Sequence, residues 1–92
     1  MIDDRPIARE PSVVEVRTDD RVVLYHPDRR LTLVLNPSGS LVWESLAAPQ
    51  TVGSIAERLC SQWPALSLDN AQADVQRFLG ELRERAMIKP AD

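Results

Sequence analysis

Two side chains in this 92-residue sequence carry chemistry of their own, His26 and Cys60, and neither has partners nearby. A histidine that moves protons or binds metal needs neighbours to tune it. His26 is the only histidine and stands beside Pro27 and Asp28, so an exposed turn imidazole is expected. Cys60 falls on an apolar helical stripe, where a free thiol acts as a small buried hydrophobe. Nothing adjacent would lower its pKa. A single cysteine also rules out an intrachain disulfide and a cysteine metal cluster. No glycine-rich phosphate loop, HExxH or GxSxG is present. No catalytic residue, metal or cofactor is therefore expected. What remains is main-chain chemistry, and it centres on Leu31 to Leu35, LTLVL, a short apolar strand running into Asn36-Pro37.

The elements that position this strand follow from periodicity. SVVEVRT from Ser12 alternates, with Val14 and Val16 on one side and Val13, Glu15 and Arg17 on the other, and Asp19-Asp20 mark a turn. RVVLYHP at residues 21–27 reads as a second strand, with Val22 and Leu24 inward and Val23 and Tyr25 outward. Gaps of hairpin length predict an antiparallel meander whose third strand is an edge. Its inward set is Leu31, Leu33 and Leu35; Thr32 and Val34 face the other way. That edge is more apolar than soluble proteins usually leave bare.

Asn36 is placed to cap a first helix, with Pro37 in the first turn and Leu41, Val42, Trp43 and Leu46 on its apolar side. Thr51 caps a second, whose apolar face holds Val52, Ile55, Ala56, Leu59, Cys60 and Trp63. Ser67 or Asp69 caps a third and longest helix with the stripe Ala71, Val75, Phe78, Leu79, Leu82 and Ala86. Gly80 inside it costs about 1 kcal/mol relative to alanine, so close packing against a neighbour is the expected reason for it. Residues 1–11, with Pro6 and Pro11, read as an extended N-terminal arm, and Pro90 as the end of order. Residues 12–90 then form one α+β domain, winged helix-turn-helix-like: a three-stranded antiparallel sheet followed by three helices.

Composition narrows the function. With 43% hydrophobic residues the chain can bury one core, but it is too short to enclose a large catalytic cavity as well. The net charge is −3. Across the third helix Asp69, Asp74, Glu81 and Glu84 outnumber Arg77, Arg83 and Arg85, so a recognition helix would carry repulsive charge towards phosphates. Nucleic acid is not the expected partner, although the topology makes a winged-helix regulator the competing class. No apolar run approaches the roughly 20 residues of a membrane span, and MIDDRPIAREP lacks a signal-peptide pattern. A soluble, cytoplasmic protein without a membrane partner is expected. An extended peptide adding to the edge strand by β-augmentation fits best. The competing occupants of that edge are the N-terminal arm, a second copy forming a homodimer, and a larger protein.

The order of motifs sharpens this reading. LVLN, PSGSLVWESL, TVGSIAERL and ADVQRFLGELRERAMI, from about Val22 to Ile88, resemble the PqqD-like family of precursor-peptide recognition elements. The family run has an apolar strand ending in Leu-Asn, a small residue before an Ile/Leu-Trp helix, a Thr-Val-x-x-Ile-Ala helix and Asp-Val-x-x-Phe-Leu-x-x-Leu. The resemblance implies a non-catalytic protein that binds a precursor's leader peptide and presents it to a leader peptidase or other modifying enzyme. It implies that Leu31, Thr32, Leu33, Val34 and Leu35 form the strand to which the leader adds. The third helix would be the other wall, with Asp74, Val75, Phe78 and Leu82 matching the family run. Val75 and Leu82 read as core; Asp74, Arg77, Phe78 and Glu81 share the flank expected to face the groove, and Gln76, Leu79 and Arg83 form the competing flank. The LNPSGSLVW block looks most like the discrete recognition proteins of lasso-peptide clusters. Delivery to a radical SAM enzyme, as in pyrroloquinoline quinone biosynthesis, is the alternative within the family. Ala86 stands where the family usually has glycine, which puts a left-handed helix end in question.

Overall fold

Alternating and helical periodicities give strands and helices in the expected order, with one addition at each end of the chain. The computed structural model describes residues 5–19 and 21–91. The elements are β1 (Ile7–Arg9), β2 (Val14–Arg17), β3 (Val22–His26), β4 (Leu31–Leu35), α1 (Pro37–Ser45), α2 (Val52–Gln62), α3 (Leu68–Glu84) and β5 (Ile88–Pro90). β2, β3 and β4 form the antiparallel meander, in that order. Its register pairs Val16 with Val23 and Leu24 with Leu33. Val22, Leu24 and Leu35 are buried on the inner face, with Leu31 and Leu33 half-buried beside them. Val14, Val16, Tyr25 and Val34 stay exposed on the outer face.

Each helix begins at the kind of cap its sequence calls for. The Asn36 side chain accepts the Gly39 N–H at 2.7 Å. Thr51 and Ser54 form a reciprocal capping box, and Ser67, rather than Asp69, caps α3. Trp43, Leu46, Ile55, Leu59, Val75, Leu79 and Leu82 fill the core against the sheet. Trp63 departs from the expected apolar face of α2. The residue before a proline disfavours helical backbone, so Trp63, preceding Pro64, becomes the C-cap and is 36% exposed.

The N-terminal segment does more than extend. β1 pairs antiparallel with β5, burying Ile7, and Pro90 lies inside β5 instead of ending the order. The Glu10 N–H donates to the Met87 carbonyl and the Ala91 N–H to the Pro6 carbonyl, so the bonded pairs fall at 10/87, 8/89 and 6/91. Pro90 therefore occupies a position where β1 asks for no N–H. On its other side Ile7 exchanges both backbone bonds with Gln50.

Two corrections concern α3. A Cβ built on Gly80 would meet nothing within 4 Å, so close packing does not explain that glycine. Ala86 adopts φ 56°, so the left-handed helix end persists without glycine. The Met87 N–H bonds to the Leu82 carbonyl and the Ala86 N–H to that of Arg83, which is the Schellman pattern, while Met87 is sealed in the core. These sites predict opposite swaps. Gly80→Ala should stabilise by about 0.5–1 kcal/mol and Ala86→Gly by about 1 kcal/mol, both read as higher urea midpoints at unchanged slope.

Candidate functional site

The hairpin loops determine which backbone groups of β4 are open. The Thr18 N–H donates to the Arg21 carbonyl at 2.9 Å, which makes 18/21 a bonded pair. Bonded pairs recur every second residue in an antiparallel ladder. Val16/Val23 and Val14/Tyr25 therefore bond across β2 and β3, and Val22, Leu24 and His26 bond to Leu35, Leu33 and Leu31. Pro27 leads to the same parity, because without an N–H it cannot bond to Arg30 beyond the His26–Leu31 pair. Thr32 and Val34 are left directing their N–H and C=O groups away from β3, on a strand with no further sheet partner among the described residues. The described part of the N-terminal arm pairs with β5 and not with this edge.

Just past the end of β4, the start of α1 meets the Phe78 flank of α3. A Cβ on Gly39 would lie 3.2 Å from Phe78 Cζ and 3.0 Å from the capping Asn36 Oδ1. Glycine at 39 thus lets the half-buried Phe78 ring lie over the cap. On the same flank Asp74 and Arg77 form a 2.9 Å ion pair and Glu81 is exposed. The opposite flank turns elsewhere: Gln76, Leu79 and Arg83 line a pocket with Ile7, Val52 and Ile88, facing the β1–β5 ribbon. Val75 and Leu82 are fully buried, so their side chains belong to the core and offer no peptide-contact surface. The Leu35 side chain is likewise buried.

The structure corrects the reading of His26 as an exposed turn residue. It is the last residue of β3 on the inner face, 5% exposed, and its Nδ1 has no hydrogen-bond partner among the described residues. Period-two alternation from Val22 and Leu24 would have placed it inward; the adjacent Pro-Asp turn obscured this. Cys60 is half-buried against the core. Among the described residues no three metal-capable side chains cluster.

A cluster the sequence did not disclose ties β1, β2 and α1 together. The buried Trp43 donates its indole N–H to Glu15 Oε1 at 2.7 Å, and Arg9 lies over its ring at 4.5 Å while donating to its carbonyl. Arg17 bridges Glu15 at 2.6 Å and Glu44 at 3.0 Å. Burial alone would raise the Glu15 carboxyl pKa, but hydrogen bonds from Trp43 and Arg17, with the charges of Arg17 and Arg9, outweigh it and hold the pKa below its usual value. A carboxyl depressed in the fold contributes stability above its ordinary pKa and loses it as pH falls through the folded value. Stability should therefore decline from about pH 4.5 downward. Denaturation midpoints for Glu15→Gln should show a shallower acid loss than wild type.

Fold and edge together define a small winged-helix-like α+β domain in which the outer side of β4 is unpaired among the described residues. Residues 21–88 match the family model described as coenzyme PQQ synthesis protein D (PqqD). The chain belongs to the PqqD family. No curated protein matches the sequence significantly. Among solved structures, TbiB1 in complex with the TbiA(beta) leader peptide superposes with a TM-score of 0.82 at 24% identity, over 92% of this chain and 99% of that one. A lasso peptide synthetase B1 complexed with the leader peptide gives 0.80 at 21% identity, over 91% and 98%. Both share this fold. Among the described residues, no helix is long and apolar enough to cross a membrane.

Proposed function

We propose that this protein binds the leader segment of a ribosomally made precursor peptide as an added strand on β4 and presents it to a leader peptidase or other modifying enzyme in lasso-peptide biosynthesis. One observation carries the reading: among the described residues Thr32 and Val34 hold an unpaired ladder edge, with Leu31 and Leu33 half-buried on the same strand and Phe78 half-buried over the start of α1. Backbone bonds would supply affinity, and alternate leader side chains would enter the space between β4 and the Phe78 flank of α3. Leu31, Thr32, Leu33, Val34 and Leu35 contribute the strand; Asp74, Arg77, Phe78 and Glu81 contribute the wall. The role is that of a non-catalytic escort. The two structural neighbours, each solved with a leader peptide, support this reading. They favour a lasso-peptide pathway over delivery to a radical SAM enzyme.

The same edge admits a second copy of the chain, and self-pairing and leader binding would exclude each other. Titration calorimetry against synthetic leaders of precursors encoded beside the gene tests the proposal. Saturable one-to-one binding to one leader, and none to its scrambled version, is the expected result. A folded domain that binds no leader but binds duplex DNA with strong salt dependence would replace the proposal with the regulator class.

A further inference from the structure

Beside Val34, where the open edge of β4 ends, lies a cavity of about 450 Å³ lined by Arg21, Val34, Leu35, Asn36 and Pro37. Arg21 is the only charged residue in that lining. The arginines of β1 and β2 are already engaged, Arg9 with Glu15 and Arg17 with Glu15 and Glu44. Arg21 is exposed and has no ion pair among the described residues. Its backbone is nonetheless held on both sides, its N–H donating to Thr18 Oγ1 at 3.1 Å and its carbonyl accepting the Thr18 N–H. The cation thus stands on a held main chain and, among the described residues, is paired with no carboxylate.

Register determines what would meet it. Val22 pairs with Leu35 and faces inward, so Arg21 lies opposite Asn36 and on the outer face, the face that also exposes Val34. A strand added beside Thr32 and Val34 alternates its side chains between the inner space and this outer face. We infer that Arg21 and the end of β4 form a carboxylate subsite, so that the bound segment is an acidic-apolar peptide with an Asp or Glu on its outward side opposite Asn36. The inference rests on the strand-addition reading and adds to it the charge class of the ligand and a specificity-determining residue. The guanidinium fork suits a carboxylate, and the apolar side chains of Val34 and Pro37 strengthen such a bond relative to one in open water.

The test is calorimetry with the synthetic leader of the precursor encoded beside the gene and with versions in which each Asp or Glu is changed singly to Asn or Gln. Arg21→Gln, with an unchanged melting curve, should bind the natural leader about five- to tenfold more weakly. One amide-substituted leader should show the same loss against wild type and no further loss against Arg21→Gln, the non-additivity of a direct pair. Arg29→Gln, a cation in the β3–β4 loop, should change affinity by less than about twofold, which separates a local pair from a general field. Wild type that binds while Arg21→Gln binds equally well, or additive losses for every carboxylate, would overturn the subsite and leave strand addition standing. Failure of the folded wild type to bind any leader would overturn strand addition and the subsite with it.

Discussion

A Val34→Pro variant should fold normally and bind the leader at least about tenfold more weakly, a loss of about 1.4 kcal/mol or more. The expectation comes from ladder parity. The Val34 N–H faces the open edge, so proline removes no bond to β3, and edge positions of this kind are where sheets accept proline. An incoming strand loses a donor at Val34 and meets the pyrrolidine ring where its own carbonyl should sit. Leu33→Pro is the contrasting case. The Leu33 N–H bonds to Leu24 inside the sheet, so that variant should lose stability, whatever it does to binding. Circular dichroism and urea titration separate the two before calorimetry is attempted. Full leader affinity in folded Val34→Pro would remove the β4 edge from the proposed function.

The second large effect is expected at Phe78. Its ring packs partly against the core and lies over Gly39 and the Asn36 cap, where it would form the wall opposite β4. Phe78→Ala should weaken leader binding at least about tenfold by emptying that wall. Its stability cost should fall below the roughly 3–5 kcal/mol of a fully buried phenylalanine, because the ring is only half-buried. Gly39→Ala approaches the same site from the other side. A methyl 3.2 Å from Phe78 Cζ must push the ring or the cap aside, so affinity should fall while every ring atom is retained. Unchanged leader affinity in both folded variants would assign the groove to another flank of α3. His26→Ala is a poor control for either experiment: the side chain is buried, so the substitution opens a cavity.

The way the chain closes on itself shapes how these variants can be read. β1 and β5 join the two ends of the described chain into a ribbon separate from the β2–β3–β4 sheet, and the Arg9–Trp43–Glu15 cluster fastens β2 to α1. Neither device includes a residue of β4 or Phe78, so variants there leave both in place.

Much of this protein was legible from residue order alone, because local rules act over a few residues. Alternation placed β2, β3 and β4 with the correct inward leucines, and Asn36-Pro37, Thr51 and Ser67 started the helices through bonds that span three residues. The order of motifs disclosed the family. Contacts between distant residues were not legible. Nothing local in residues 7–9 or 88–90 signals that they pair, because each segment gains its ladder bonds only once the fold has brought the termini together. Trp43 was recognisable as apolar, but its indole N–H found Glu15 across 28 positions. The burial of His26 is not legible, because the Pro-Asp turn signal beside it outweighs the strand period that buries it. The left-handed end at Ala86 was doubted on propensity, and sealing Met87 in the core overrides a local cost of about 1 kcal/mol. Which flank of α3 lies by the start of α1 is likewise undecidable from a helical period that serves both flanks equally. Tertiary packing decides that much, by turning Leu79 and Arg83 toward the ribbon and Phe78 against Gly39.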